Sequence, residues 1–182
     1  MAEGLKGYSM KRFEVTDRQA MIDPTGKYRW WLSRSLESTE GVDLRGWAVF
    51  VMLNPSTADG CVDDPTIRRC MGFAYDWGCA HLSVVNLFAL RSPNPMALYV
   101  DADPVGQEND EWILSETGKG TKAIVAAWGA HGTFRGRAKA VCALLAGAGR
   151  TVGHMGLTKD GYPRHPLYLK GTTKVEPMAT VA

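Results

Sequence analysis

Short apolar runs, each about the length of one strand and separated by segments with helical spacing, constrain this chain more than any other feature. Trp47–Leu53 is a continuous apolar run with β-branched and aromatic residues, set between Gly46 and Asn54-Pro55. His81–Leu87 and Lys122–Trp128 repeat that character. Runs that are apolar on both faces read as buried strands of a parallel sheet. Asp64-Pro65-Thr66 offers an N-cap with proline at the first helical position, and Ile67, Cys70, Met71 and Ala74 follow at helical spacing. A helix is therefore expected over about residues 65–77, with Gly78 at its C-terminal end. Val105–Glu116 and Gly136–Leu145 read as further helices, Thr151–Met155 as a short fourth core strand, and Tyr28–Arg34 as a strand added at an edge. The alternation predicts the α/β class: one three-layer domain whose central, mainly parallel sheet has about four strands, with helices on both faces.

Size and composition agree with this. The 182 residues suit a single domain, 1–182, with its core over about 28–170 and a small, polar, flexible tail over 171–182. The apolar runs fall far short of the roughly 20 residues of a membrane helix, and Met1–Glu14 lacks the apolar stretch of a signal peptide. A cytoplasmic protein without a membrane partner is expected. The four cysteines, Cys61, Cys70, Cys79 and Cys142, have no zinc-ligand spacing, so neither a metal nor a disulfide is expected, and no cofactor motif stands out. Charge is uneven: residues 1–110 carry a net −4 and residues 111–182 a net +6. A basic C-terminal part can face a polyanion or simply be solvated.

In a parallel α/β sheet, ligands sit at the C-terminal strand ends, and the chain's polar punctuation falls there. Asn54 follows the first core run, held extended by Pro55; its amide can position a water or clamp a polar substrate edge, and Asn-Pro is equally a turn signal. Asn86 closes Val84-Val85-Asn86, where it either caps a loop or reads a ligand. Trp128-Gly129 closes the third run. His165 lies in the last loop beside Arg164, Tyr162 and Lys159, where a neutral imidazole can donate to a developing anion.

Taken together, Met52-Leu53-Asn54-Pro55, Val84-Val85-Asn86, Ala127-Trp128-Gly129 and His165-Pro166 resemble, in order along the chain, the motifs of the uracil-DNA glycosylase superfamily. The Asp-bearing first motif of the main uracil-excising branch is absent, with Asn54 in its place. More closely, the chain resembles an uncharacterised bacterial and phage domain family, domain-of-unknown-function family 1643. That likeness is carried by Asn54-Pro55-Ser56-Thr57-Ala58-Asp59, Asp64-Pro65-Thr66, Asn86-Leu87, Asn109-Asp110, Trp128-Gly129 and Lys159-x-Gly161-x-Pro163-x-His165-Pro166-Leu167.

The resemblance implies a glycosylase-like fold and a hydrolase of N-glycosidic bonds acting on a modified or mismatched base in nucleic acid, DNA foremost, or in a nucleotide. It implies that Asn54 orients water, His165 donates to the leaving base and Asn86 reads the base edge. Phe88 would stack on the base, and Ser56, Thr57, Asp59 and Trp128 would complete the substrate site. Leu169 would fill the gap left by a flipped base, and Lys159, Arg164 and Lys170 would contact phosphates. Two other readings stand beside it. One is a non-hydrolytic nucleotide or modified-DNA binding module with a phosphate at the N-terminus of helix 65–77. The other is a transferase acting on a phage-type modified base with Asp59 as its base.

Overall fold

A computed structural model describes residues 12–178; Met1–Lys11, where a signal peptide would begin, and residues 179–182 of the expected tail lie outside the described residues. The elements follow in the order β1 (Phe13–Ile22), β2 (Arg29–Ser38), β3 (Trp47–Met52), α1 (Pro65–Asp76), β4 (His81–Asn86), α2 (Ala97–Val100) and α3 (Asn109–Gly118). Then come β5 (Thr121–Ala126), a 3-10 turn η1 (Ala130–Gly136), α4 (Arg137–Gly147), β6 (Gly153–His154), a second 3-10 turn η2 (Pro166–Tyr168) and β7 (Glu176–Pro177).

One sheet carries seven strands in the order β1-β2-β4-β3-β5-β6-β7. β3 pairs in parallel with β4 and β5, and β5 with β6. β1–β2, β2–β4 and β6–β7 are antiparallel, and more residue pairs lie in antiparallel than in parallel ladders. The expectation of a mainly parallel sheet of about four strands is thus corrected to a mixed, seven-stranded one. The expected edge strand Tyr28–Arg34 is also corrected, because β2 runs to Ser38 and is paired on both sides. What covers it is β1, whose side chains are mostly exposed or half-buried, so no apolar alternation marks it in the sequence. The Asp23–Tyr28 turn makes the hairpin: Asp23 accepts from the Tyr28 and Thr25 amides, and Gly26 takes a φ of +75°. At the opposite flank, β7 and the Met178 amide, which donates to Val152, tie the segment expected to be flexible onto β6.

Side-chain parity divides the core. Leu82 and Val84 of β4, Phe50 and Met52 of β3 and Val125 of β5 pack against α1 through Ile67, Cys70 and Phe73. Val85, Val49, Val51, Ile124 and Ala126 face the other way, against Leu98 of α2, Ile113 of α3 and Val141 and Leu145 of α4. α1 begins and ends where its sequence signals stand. The Asp64 carboxylate accepts from the Ile67 amide at 2.8 Å, Pro65 opens the helix, and Gly78 follows its last turn with a φ of +70°. α3 starts later than expected, at Asn109, because Val105 lies in the loop that pairs with Ala89. Just after Ser92-Pro93-Asn94-Pro95, the single turn of α2 is too short to show a period in the sequence.

A buried arginine fastens the layer nearest α1. Arg34 of β2 has no exposed surface, and its Nε donates to Asp63 at 2.7 Å. Its Nη atoms donate to the carbonyls of Ser33, Gln19 and Asp59 at 2.7, 3.2 and 2.6 Å. Removing one partner of a buried ion pair leaves the other uncompensated. Arg34→Ala is therefore expected to cost about 3–5 kcal/mol of unfolding free energy, read from urea unfolding monitored by circular dichroism; a loss below about 1 kcal/mol, the scale of exposed pairs, would refute the anchoring role.

Candidate functional site

The parallel ladders bring the motif-bearing strand ends to one edge. Met52 and Asn86 are register partners, and the next residues continue the pairing, with the Leu87 and Phe88 amides donating to the Met52 and Leu53 carbonyls. Asn54 and Asn86 thus lie at the ends of adjacent strands. On the next strand, the Gly129 amide donates to Pro163 at 2.9 Å, and the Arg164 amide donates to Gly156 at 3.0 Å. The loop that carries His165 is thereby laced to the end of β5.

Asn54 is half-buried, and its Nδ2 is shared among the carbonyls of Pro55, Leu90 and Ser92 at 3.1, 3.3 and 2.9 Å. The amide latches the loop after β3 to the loop after β4, and this leaves Oδ1 as its remaining polar atom. Asn86 has the opposite character. It is 1% exposed, it shares the α1 face with Leu82 and Val84 by strand parity, and its Nδ2 has no hydrogen-bond partner among the described residues. Such a donor costs about 1–3 kcal/mol unless something meets it. The strand end beneath it is rigidly held: Asn109 Nδ2 donates to the Asn86 and Leu87 carbonyls at 2.9 and 3.0 Å, and Arg137 Nε donates to Leu87 at 2.7 Å. Asn109 and Arg137 had no site signal in the sequence beyond the Asn109-Asp110 pair; only the fold shows that they brace β4.

His165 caps η2. Its Nδ1 accepts from the Leu167 amide at 3.3 Å, which leaves the ring proton on Nε2. Burial pushes the imidazole below its usual 6.5, with the Asp64 carboxylate partly opposing, so Asp64 at the start of α1 is near enough to be felt. η2 packs on α1, placing His165 on the same face of the sheet as Asn86.

Other expected site residues are placed differently. Phe88 is fully buried and Trp128 is 4% exposed; both belong to the core on the α3/α4 face, so neither lines the edge beside His165. Gly132 packs so tightly on the Trp128 indole that a Cβ there would lie 2.3 Å from it. Leu169 is 7% exposed in the core under α1, with its carbonyl bonded by Arg69, so it does not fit a wedge; the apolar side chains exposed at this corner are Leu167 and Tyr168, the latter 76% exposed. Lys159, Arg164 and Lys170 are exposed and form no ion pair among the described residues.

The acidic loop is occupied by its own architecture. Asp59 Oδ1 accepts from the Cys61 and Val62 amides at 2.7 and 2.8 Å, and these bonds hold its carboxyl below the usual range. Asp63 pairs with Arg34 and Arg18, and Asp64 caps α1. Among the described residues no group of three His, Cys, Asp or Glu side chains is arranged to hold a metal, and none of the helices is long and apolar enough to cross a membrane. Ser56 is half-buried and Thr57 exposed, and neither hydroxyl has a partner among the described residues.

Missing from the sequence-based site were Arg29 and Arg91. Arg29, at the start of β2, is 2% exposed; Nη1 donates to Ala58 at 2.7 Å, and Nε has no partner among the described residues. Arg91, after β4, likewise has a buried, unpartnered Nε. Arginines are mostly exposed, so nothing local in the sequence marks them as interior.

A family profile described as "Protein of unknown function (DUF1643)" matches residues 29–167, and the chain belongs to that family. Neither a curated protein nor a solved structure matches the chain. The matched span opens on Arg29 and closes just beyond His165, so it takes in both ends of the edge described above.

The geometry of His165 gives a direct expectation. Its folded pKa is depressed, so its contribution to stability is full above the ordinary value of 6.5 and is lost as pH falls through the folded value. NMR titration of the imidazole should show a midpoint below 6.5 and, at neutral pH, the Nε2–H tautomer; a midpoint above 6.5 would contradict the burial account.

Proposed function

We propose that this protein acts on nucleobases in nucleic acid or nucleotides, as a glycosylase-like hydrolase of the N-glycosidic bond. The observation that carries the reading is the Asn86 carboxamide: a fully buried donor with no partner among the described residues, on a braced strand end, on the sheet face that His165 shares. A base carbonyl is a ligand of the right polarity for it.

The residues then divide the chemistry. As the bond between base and sugar breaks, its electron pair passes to the base. A neutral His165 donating through Nε2 stabilises that anion, a role worth about 3–4 kcal/mol for an oxyanion-type donor. Asn54 Oδ1 accepts from the water that adds to the sugar carbon; the proton that this water releases ends on the base. Tyr168, whose ring centroid is 5.8 Å from that of His165, offers the exposed apolar surface that Phe88 and Leu169, both buried, do not. Lys159, Arg164 and Lys170 supply solvent-facing positive charge for phosphates. The alternative that places a phosphate at the N-terminus of α1 is less favoured, because Asp64 already fills that cap with a carboxylate.

Genomic DNA with and without modified bases, incubated with the protein, is expected to yield free base by mass spectrometry and alkali-labile sites in the strand. His165→Ala is expected to slow release by about 10²–10³-fold, and Asn86→Ala to slow it as well. A mobility shift on intact DNA with no released base would favour the binding-module reading instead. A change in nucleoside mass that requires a second substrate would favour the transferase.

A further inference from the structure

Two guanidiniums, Arg29 buried and Arg91 half-buried, stand side by side on this same edge, and neither has a carboxylate partner among the described residues. Tyr28 and Leu90 form an antiparallel bridge and both pack toward the α3/α4 side. Alternation turns Arg29 and Arg91, each one residue further on, to the opposite face. The backbone pairing continues through them, with the Arg29 amide donating to Ala89 and the Arg91 amide to Lys27, both at 2.9 Å. Arg29 and Arg91 are thus diagonal neighbours, within reach of each other's long side chains.

Like charges so placed repel, and Arg29 is desolvated as well. Burial, with a further contribution from Arg91 and Arg34, brings the Arg29 guanidinium down to about 10. It stays charged at neutral pH, and no carboxylate forms an ion pair with Arg29 or Arg91 among the described residues. Asp59 and Asp64 lie near enough to offset Arg29 through space, but neither forms an ion pair with it, and the Oδ1 of each accepts backbone amides, those of Cys61 and Val62 for Asp59 and that of Ile67 for Asp64. Among the described residues the Nε of both arginines is buried and unpartnered; their side-chain hydrogen bonds there are Arg29 Nη1 to the Ala58 carbonyl and a long 3.4 Å bond from Arg91 Nη1 to Gly26. Buried donors normally have a hydrogen-bond partner, and a buried charge an opposite one.

The loop after β3 completes the cradle. It is tied to the Arg91 segment where the Ser92 amide donates to the Pro55 carbonyl, and to Arg29 at the Ala58 carbonyl. Between those two ties lie Ser56 and Thr57, whose hydroxyls have no partner among the described residues. Forked guanidiniums beside free hydroxyls are the chemistry of phosphate recognition. We propose that Arg29, Arg91, Ser56 and Thr57 form an anion site that holds a phosphate group of a nucleotide or nucleic-acid ligand. The site needs neither Asn86 nor His165, so it goes beyond base excision and does not depend on it.

Calorimetric titration of the full chain with inorganic phosphate, a deoxynucleoside 5′-monophosphate and a short hydroxyl-ended single-stranded oligonucleotide tests this. Phosphate is expected to bind, with the monophosphate tighter than the oligonucleotide if a terminal phosphate is held, and the reverse if an internal phosphodiester is. Arg91→Gln should weaken inorganic phosphate roughly tenfold or more. The double change Ser56→Ala and Thr57→Ala, which breaks no bond within the protein, should weaken it several-fold, and His165→Ala should leave it unchanged. No phosphate binding at millimolar concentration, or equal affinity in the wild type and both site variants, would overturn the site. Phosphate binding without base release would retain it and count only against the hydrolase.

Discussion

The Arg34 guanidinium sits wholly inside the protein, and the placing of the acidic loop depends on it. A charge removed from water is tolerated only where bonds replace its hydration. Here they come from the Asp63 carboxylate and from the Asp59, Gln19 and Ser33 carbonyls. Those partners belong to β1, β2 and the acidic loop, so satisfying one side chain fixes three segments against each other. With the loop held at Asp59 and Asp63, α1 starts at Pro65 with Asp64 as its cap. Asp64 in turn lies near enough to His165 to act on it. A chain of contacts thus runs from one strand arginine to the far side of the candidate site.

The same dependence explains which parts of the fold were legible. The three long apolar runs and α1 could be read because burial and capping act locally, through residues a few positions apart. β1 could not, because it lies at the sheet's edge and presents mostly polar side chains to water. The mixed character of the sheet was missed for that reason: β1, β2 and β7 supply its antiparallel ladders. Arg29 and Arg34 were missed because a strand arginine reads as solvent-facing until the loop that covers it is known.

Parity decided which site residues came together, and part of it was already in the sequence. Asn86 shares its face with Leu82 and Val84, and so with α1 and η2. Trp128 alternates with Ala127 and Val125, so it points away from that face, into the core beside Val141 and Leu145. Period-two counting sets Trp128 opposite Val125 and Ala127, and the registers of β3 with β4 and β5 relate that face to Asn86. Phe88 escapes such counting because β4 ends at Asn86 and the backbone changes course before it. Leu169 escapes it because the turn of η2 carries the chain inward, leaving Tyr168 outside.

The polar atoms at this edge sort by what they lack. The Asn54 amide, Asp59, Asp63 and Asp64 each have protein partners, and each explains a turn, an ion pair or a cap. The Asn86 Nδ2 and the Nε atoms of Arg29 and Arg91 have none among the described residues, though all three atoms are buried. A folding requirement accounts for the first group, since every member satisfies the backbone or a charge. It does not account for the second, because an apolar residue of similar volume would avoid the desolvation cost at each position. Other buried donors also go unmet elsewhere, such as the Nε of Arg69 and of Arg150, so an unpartnered atom alone does not define a site. What distinguishes the edge group is its placement at the parallel strand ends, within the span the family profile covers, beside hydroxyls and an imidazole that the fold leaves available.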